Sequence, residues 1–404
     1  MEKTELVKKA HAYLKKLCVD IPERSVGSEG NIMATDFFYN EMNSLGWQTR
    51  KQEFNAMDWK SDGAKLRAGG KNFTLYSSPY SNGCNVRGVL TAASTVAELE
   101  KLDAKEKLLL LYGPIVKEQL MPKNFIFYNP DEHKKLVQLL ENSGARCIIC
   151  ATGRNSAPAG GAYPFPFIED GDFNIPSVYT KDTEGEKLLP FIGAHAELFS
   201  SAVRIPGKGY NIIASKGKQG DRKIVITAHI DAKKGTPGAI DNATGVITLL
   251  LLAGLLKNYN KNFELEIIAF NGEDYYAVPG QMEYIKSMND NFGNIMLNIN
   301  IDGAGYFEGN TSFSLFGLPE ELENSALSVI SSFAGISEGA LWPQGDHSIF
   351  VQYGVPAIAV SSKWFVDNMD IQDITHTPKD NPSIVDINKL VEIPLALKQF
   401  IESL

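Results

Sequence analysis

No apolar run in this 404-residue chain approaches the roughly 20 residues that a membrane-spanning helix requires, so no membrane partner is expected. No basic cluster offsets the formal charge of −9, which argues against nucleic acid, whose backbone needs a positive face. Cysteine is scarce: Cys18, Cys84, Cys147 and Cys150 are all there is, and only "CIIC" has a spacing that invites a metal or redox reading. It lies in "ARCIICAT", which reads as a buried strand whose residues three apart point to opposite faces, so both thiols are expected in the core. A G-x-S-x-G elbow is missing and no cysteine stands in a recognisable catalytic context, which leaves a nucleophilic hydrolase without support. The amino terminus lacks a signal-peptide apolar region; Leu6, Val7, Ala10, Tyr13, Leu14 and Leu17 instead form one face of an amphipathic helix. A cytoplasmic protein is expected, or a secreted one if a leader was removed.

What is present is the composition of a globular protein, 44% apolar and 22% charged, in a chain long enough for two or three domains. The turn-rich "VDIPERSVGSEGN" precedes a helical stretch, "NIMATDFFYNEMNSLGW", and a strand, "QTRKQEF". From about Asp58 to Pro206 short strands are broken by Gly, Pro and Asn, with one helix expected in "NPDEHKKLVQLLENSGA", starting at Asn129 or Asp131 and stopping at Gly144. This segment, 58–205, reads as a small β-rich domain inserted into a main domain made of 1–57 and 206–404. In the main domain "KIVITAHI", "FELEIIAFN", "IMLNINI" and "VPAIAVSS" are continuous apolar runs of the kind that mark strands covered on both faces. Helical stretches lie between them. The expected fold class is therefore α/β, with a mostly parallel sheet flanked by helices.

Functional groups in such sheets gather at the carboxyl ends of the strands. His229 and Asp231 end "IVITAHID" and share a face; Glu273 and Asp274 end "LEIIAFNGED"; Asp302 ends "MLNINID". Asp241 opens a helix, and His376 lies in a loop after "VPAIAVSS". Each alone is weak, because an Asp at a helix start is usually a cap and an acidic pair after a strand is usually solvated. Together, two of only six histidines and at least four acids converge on one rim, where like charges repel unless a cation lies among them. A dinuclear metal centre follows. Imidazole with carboxylate suits Zn²⁺ best, and Mn²⁺, Co²⁺ or Fe²⁺ are compatible.

These residues resemble the co-catalytic zinc aminopeptidases, whose wider group includes glutamate carboxypeptidase, glutaminyl cyclase and the non-enzymatic transferrin receptor. The resemblance rests on "AHID", "GAIDNATG", "FNGED", "NID", "GDHSIF" and "HTPKD", in matching order and spacing, and on "IPERSVGSEGN" near the amino terminus. It implies the zinc-exopeptidase, phosphorylase/hydrolase-like fold. Asp241 would bridge two Zn²⁺, His229 and Asp302 would complete one site, and Asp274 and His376 the other. Asp231 would orient His229, Glu273 would be the general base, and the Asp241-Asn242 bond would be cis. The insert, with "AKEKLLLLYG" and "ARCIICAT", is similar to a protease-associated domain, which would shape the cleft or mediate homodimer contacts.

Two departures stand out. Asp274 replaces the Glu of many relatives, and Thr375 stands where a tyrosine often donates to the oxyanion, a role for which His347 in "GDHSIF" is a substitute candidate. The implied activity is an aminopeptidase acting on peptides. A dipeptidase or carboxypeptidase of the same fold would need a clamp for the substrate carboxylate, and Arg24, Arg67, Arg87, Arg146, Arg154, Arg204 and Arg222 are available without a motif that places any of them at the metals. A non-catalytic binding protein on this scaffold would be expected to have lost ligands or the base.

Overall fold

The computed structural model describes residues 2–21, 23–154, 162–218, 222–261, 263–289 and 291–404. The chain divides into two compact units, one made of Met1–Ala56 with Lys208–Leu404 and the other of Met57–Gly207.

The larger unit is organised by an eight-stranded sheet, with strands numbered in chain order: β1 (Gln48–Lys60), β2 (Val203–Lys216), β3 (Lys223–His229), β4 (Glu264–Phe270), β5 (Ile295–Ile301), β6 (Thr311–Phe316), β7 (Ile336–Glu338) and β8 (Ala357–Ser362). Their spatial order is β1-β2-β4-β3-β5-β8-β6-β7. The four apolar runs singled out in the sequence are the four central strands, and β4, β3, β5 and β8 run parallel. The flanking strands β2 and β6 are antiparallel to them. Every residue of β3 and of β8 is buried, as strands covered on both faces must be.

Register brings the ends of these strands level. His229 pairs with Phe270, and Thr227 pairs with Asn300, so two residues further on His229 and Asp302 stand side by side. The backbone continues the ladder beyond the strands, with Ile230 N–H donating to Phe270 O (2.8 Å) and Asp302 N–H to Val360 O (2.9 Å). The turn residues after each strand thus start from fixed positions.

Helix α1 (Lys3–Lys15) buries Leu6, Ala10, Tyr13 and Leu14, the expected face. Helix α2 (Glu29–Ser44) starts where Ser28 accepts from the Asn31 N–H. Helix α3 (Thr244–Leu255) is apolar all round, with eleven of its twelve residues buried in the main core beside α1. It begins later than the sequence suggests. Asp241 and Asn242 are non-helical and joined by a cis peptide, so Asp241 sits in the bend before α3 and does not open the helix.

The smaller unit is a closed seven-stranded barrel, in the order Ala64–Ala68, Lys71–Ser77, Ser177–Lys181, Cys147–Thr152, Leu108–Tyr112, Cys84–Ala93 and His195–Ser200. Among its described residues the one long helix is Asp131–Asn142, with Pro130 at the N-cap and Gly144 at φ +65 just beyond the end. "CIIC" is a strand buried throughout. Cys147 packs with Ile149 and Ala151 in one apolar cluster, and Cys150 with Ile148 in the other, as strand alternation requires. All four cysteines are free, and burial pushes the Cys147 and Cys150 thiols well above their usual range. Ellman's reagent at pH 8 is expected to leave Cys147 and Cys150 unmodified in the native protein and to count four thiols in guanidinium. Rapid native labelling of either would contradict the packing.

Candidate metal centre

The site is assembled from the ends of β3, β4 and β5, the bend before α3, and the loop after β8. His229, the last residue of β3, is 1% exposed, yet neither ring nitrogen has a hydrogen-bond partner. What surrounds it is carboxylate: Nε2 lies 3.2 Å from Asp241 Oδ1 and 3.5 Å from Asp302 Oδ1. The other oxygen of Asp241 faces a second imidazole, with Oδ2 at 3.1 Å from His376 Nε2, which is itself 2.9 Å from Asp274 Oδ1. His376 reaches this place at φ +60, an uncommon conformation for a residue with a Cβ. The Gln372 amide staples the approach, accepting from the Ile374 and Thr375 N–H groups and donating to Thr375 Oγ1.

These separations fit a cation. Ligand atoms on a tetrahedral zinc with bonds of about 2.0–2.1 Å stand roughly 3.3 Å apart. The four imidazole–carboxylate distances, 2.9 to 3.5 Å, straddle that value. Ligand atoms of His229, Asp241 and Asp274 all lie within 4.8 Å of one another. The Asp274 Oδ2 is a further buried oxygen without a hydrogen-bond partner. Thus the five residues expected as ligands are brought together, in two sets that share Asp241.

Electrostatics divides the acids. Burial disfavours the Asp241 charge, but His229 and His376 outweigh it and hold the carboxyl far below its usual range. Burial raises Asp302, opposed by His229 and reinforced by Asp241 and Asp274. Glu273, half-buried, is raised well above the carboxylate range by burial, against the pull of His229 and with the push of Asp274, Asp302 and Asp346. For His229 itself burial favours the neutral ring, and the charge of Asp302 with contacts to Asp231 and Asp241 reverses that, so its proton affinity is raised.

Asp231 faces the ring it is expected to orient, with Oδ1 3.6 Å from His229 Nδ1. It also accepts from the N–H groups of Gly272 (2.7 Å), Glu273 (3.3 Å) and Asp274 (3.0 Å), holding the turn that presents the acidic pair. Asn242 fixes the other side. Its amide donates to Ile301 O (2.8 Å) and accepts from the Gly245 N–H, and a Cβ at Gly245 would fall 2.6 Å from Ile301 O, so α3 meets the end of β5 only because residue 245 is glycine.

His347 is corrected. It is fully buried between the Trp342 and Phe316 rings, and its Nε2 engages Trp342 O (2.9 Å), a packing position closed to a substrate oxygen. Arg24, one of the arginines available as a carboxylate clamp, is 1% exposed and bonded to four main-chain carbonyls. Asp346, buried and donated to by Gln281, is raised to about 7 by burial; Asp380, raised to about 7 mainly by burial and next by the Asp241 charge, accepts from the backbone beside Asp241. Neither was singled out from sequence, although both lie inside quoted motifs, "GDHSIF" and "HTPKD".

With this geometry in hand, residues 211–401 match the family described as peptidase family M28. This part of the chain belongs to peptidase family M28. The chain is 25% identical over 317 residues to "Probable lipoprotein aminopeptidase LpqL" of Mycobacterium tuberculosis, covering 75% of this chain and 61% of that protein. It is 24% identical over 307 residues to "Aminopeptidase YwaD" of Bacillus subtilis, covering 74% and 62%. The chain therefore spans somewhat over half the length of these curated relatives. Among solved structures, the aminopeptidase from Aneurinibacillus sp. strain AM-1 superposes with a TM-score of 0.76 at 19% identity, covering 98% of this chain and 93% of that one. BSAP, a zinc aminopeptidase from Bacillus subtilis, gives 0.74 at 19%, covering 98% and 94%. At such identities the likeness is one of fold.

Burial lowers the His347 pKa to about 4, while an unfolded histidine titrates near 6.5. The folded state keeps this ring neutral, so its contribution is complete above pH 6.5 and is lost as pH falls toward 4. The loss is on the order of 3 kcal/mol. Denaturation midpoints between pH 7 and 4 should show this slope, and His347→Phe should reduce it by about one proton; an unchanged slope would place the ring in water.

Proposed function

We propose that the protein is a metal-dependent aminopeptidase that releases amino-terminal residues from peptides, with two zinc ions held by His229, Asp241, Asp274, Asp302 and His376. One observation carries the reading: the two oxygens of Asp241 face different imidazoles, and each imidazole has a second carboxylate beside it. When bound, such a pair of dications acidifies water and polarises a carbonyl.

The chain's own groups have distinct roles. Asp241 is shared, with His229 and Asp302 completing one set and Asp274 and His376 the other. Glu273 is the general base, taking the proton of the attacking water and returning it to the departing amine. Three ligand carboxylates leave the loaded site net positive, which favours the negative charge developing on the substrate oxygen. Asp231 keeps Glu273 and Asp274 in place through the backbone of their turn. The engagement of Arg24 with main-chain carbonyls supports an amino-terminal specificity over a carboxypeptidase clamp. The barrel unit is read as the protease-associated-like insert. Free cysteines support a cytoplasmic location, the lipoprotein name of the Mycobacterium relative opposes it, and cell fractionation decides.

Protein stripped with chelator and reloaded with zinc is expected to cleave Leu-, Ala- or Lys-p-nitroanilide and free peptides, and to spare amino-terminally blocked ones. Glu273→Gln should keep its zinc and lose at least about 10²-fold in kcat. Cleavage of blocked peptides would move the activity to a carboxypeptidase, and two bound zinc ions without any turnover would favour a binding protein.

A further inference from the structure

The loop carrying Asp241 is gripped on both of its backbone edges by buried side chains of opposite charge, one from each end of the chain. On the carbonyl edge Arg24 donates from Nη1 to Pro237 O and from Nη2 to Gly238 O, both at 2.7 Å. The same guanidinium reaches Ile230 O through Nε (3.0 Å) and Leu17 O through Nη1 (2.7 Å). Ile230 lies between His229 and Asp231. On the amide edge Asp380 accepts from Ile240 N–H at Oδ1 (2.7 Å) and from Asp241 N–H at Oδ2 (3.0 Å). Asp380 stands in the loop of His376, which Thr236 also ties down by donating to Thr377 O (3.0 Å). There is no slack in the grip: a Cβ at Gly238, φ +58, would fall 2.8 Å from Arg24 Nη2 and 2.6 Å from the Ala232 Cβ.

Each contact spans a distance that matters to the site. Arg24 joins the segment after His229 to the segment before Asp241, and so spans the His229–Asp241 separation of 3.2 Å. Asp380 joins Asp241 to the loop of His376, and so spans the His376–Asp241 separation of 3.1 Å. Burying a charge is costly when only backbone is being tied, since neutral side chains can bond the same groups. Asp380 even brings another negative charge toward Asp241. A fork with fixed geometry and a two-oxygen acceptor hold positions more tightly than neutral substitutes.

We propose that Arg24 and Asp380 are positioning residues that preset the two ligand sets around Asp241, Arg24 for the His229–Asp302 set and Asp380 for the Asp274–His376 set, and thereby determine zinc affinity site by site. This rests on the metal-centre reading above. It also explains the loop "IPERSVGSEGN", whose arginine is a brace for the ligands.

The experiment is zinc titration of the stripped full chain against a chromophoric chelator, for wild type, Arg24→Lys and Asp380→Asn, alongside thermal midpoints of the zinc-free proteins. Each variant should lose about 10- to 100-fold in affinity at one of two sites, the usual effect of removing a group that orients ligands. The other site should hold. Both affinities within about threefold of wild type, with only the zinc-free midpoint lowered, would reduce the pair to structural supports. Hydrogen exchange on zinc-free wild type tests the same point without a variant: the Ile240 and Asp241 amides should be protected before zinc is added, and free exchange there would overturn the proposal even if both variants failed to fold. A wild type that takes up no zinc would instead sink the metal-centre reading.

Discussion

Four carboxylates and a glutamate crowded against two imidazoles at one end of a buried sheet are the constraint on which the rest depends. Ionised acids at such distances repel one another, and removal from water makes each charge costlier. The structure answers with different partners for different acids. Asp231 takes three backbone N–H groups and Asp380 takes two, while Asp241 is divided between His229 and His376. Burial raises the proton affinity of Asp302 and Glu273, and of Asp380 despite its two N–H donors. That imbalance, together with the unpartnered nitrogens of His229, is what a cation would relieve.

The scaffold explains why the groups can be held so closely. Parallel strands end on the same edge of a sheet, and β4, β3, β5 and β8 are adjacent there, so the residues following them converge on one rim. An almost entirely buried α3 starts just after the Asp241 bend and is anchored through Asn242 to the end of β5. Rigid elements thus surround a site whose ligands sit at strand ends and on the loops that follow them. The arrangement favours geometry fixed before any ligand binds.

Two kinds of residue separate when expectation meets structure. His229, Asp241, Glu273, Asp274, Asp302 and His376 were legible because metal chemistry restricts residue type and strand ends restrict place. His347 and Asp231 have contacts that the spacing of residues does not show. Ring burial between Trp342 and Phe316 decided the first, and a backbone turn beginning 41 residues further along the chain decided the second. Arg24 and Asp380 stood inside recognised motifs, yet nothing in their spacing reveals that they grip one loop from both edges.

The sequence alone determined the α/β class, the four central strands, the buried "CIIC" strand and the identity of the acids and histidines at the rim. It could do so because apolar runs, period-two alternation and ligand chemistry are local properties. Tertiary structure alone decided that α3 begins after Asp241, which backbone each carboxylate satisfies, that His347 is a packing residue, and that Arg24 is committed to four carbonyls. Those outcomes depend on which distant segments are brought within about 3 Å, the reach of a hydrogen bond. Chain order carries no record of that distance; only the packed sheet does.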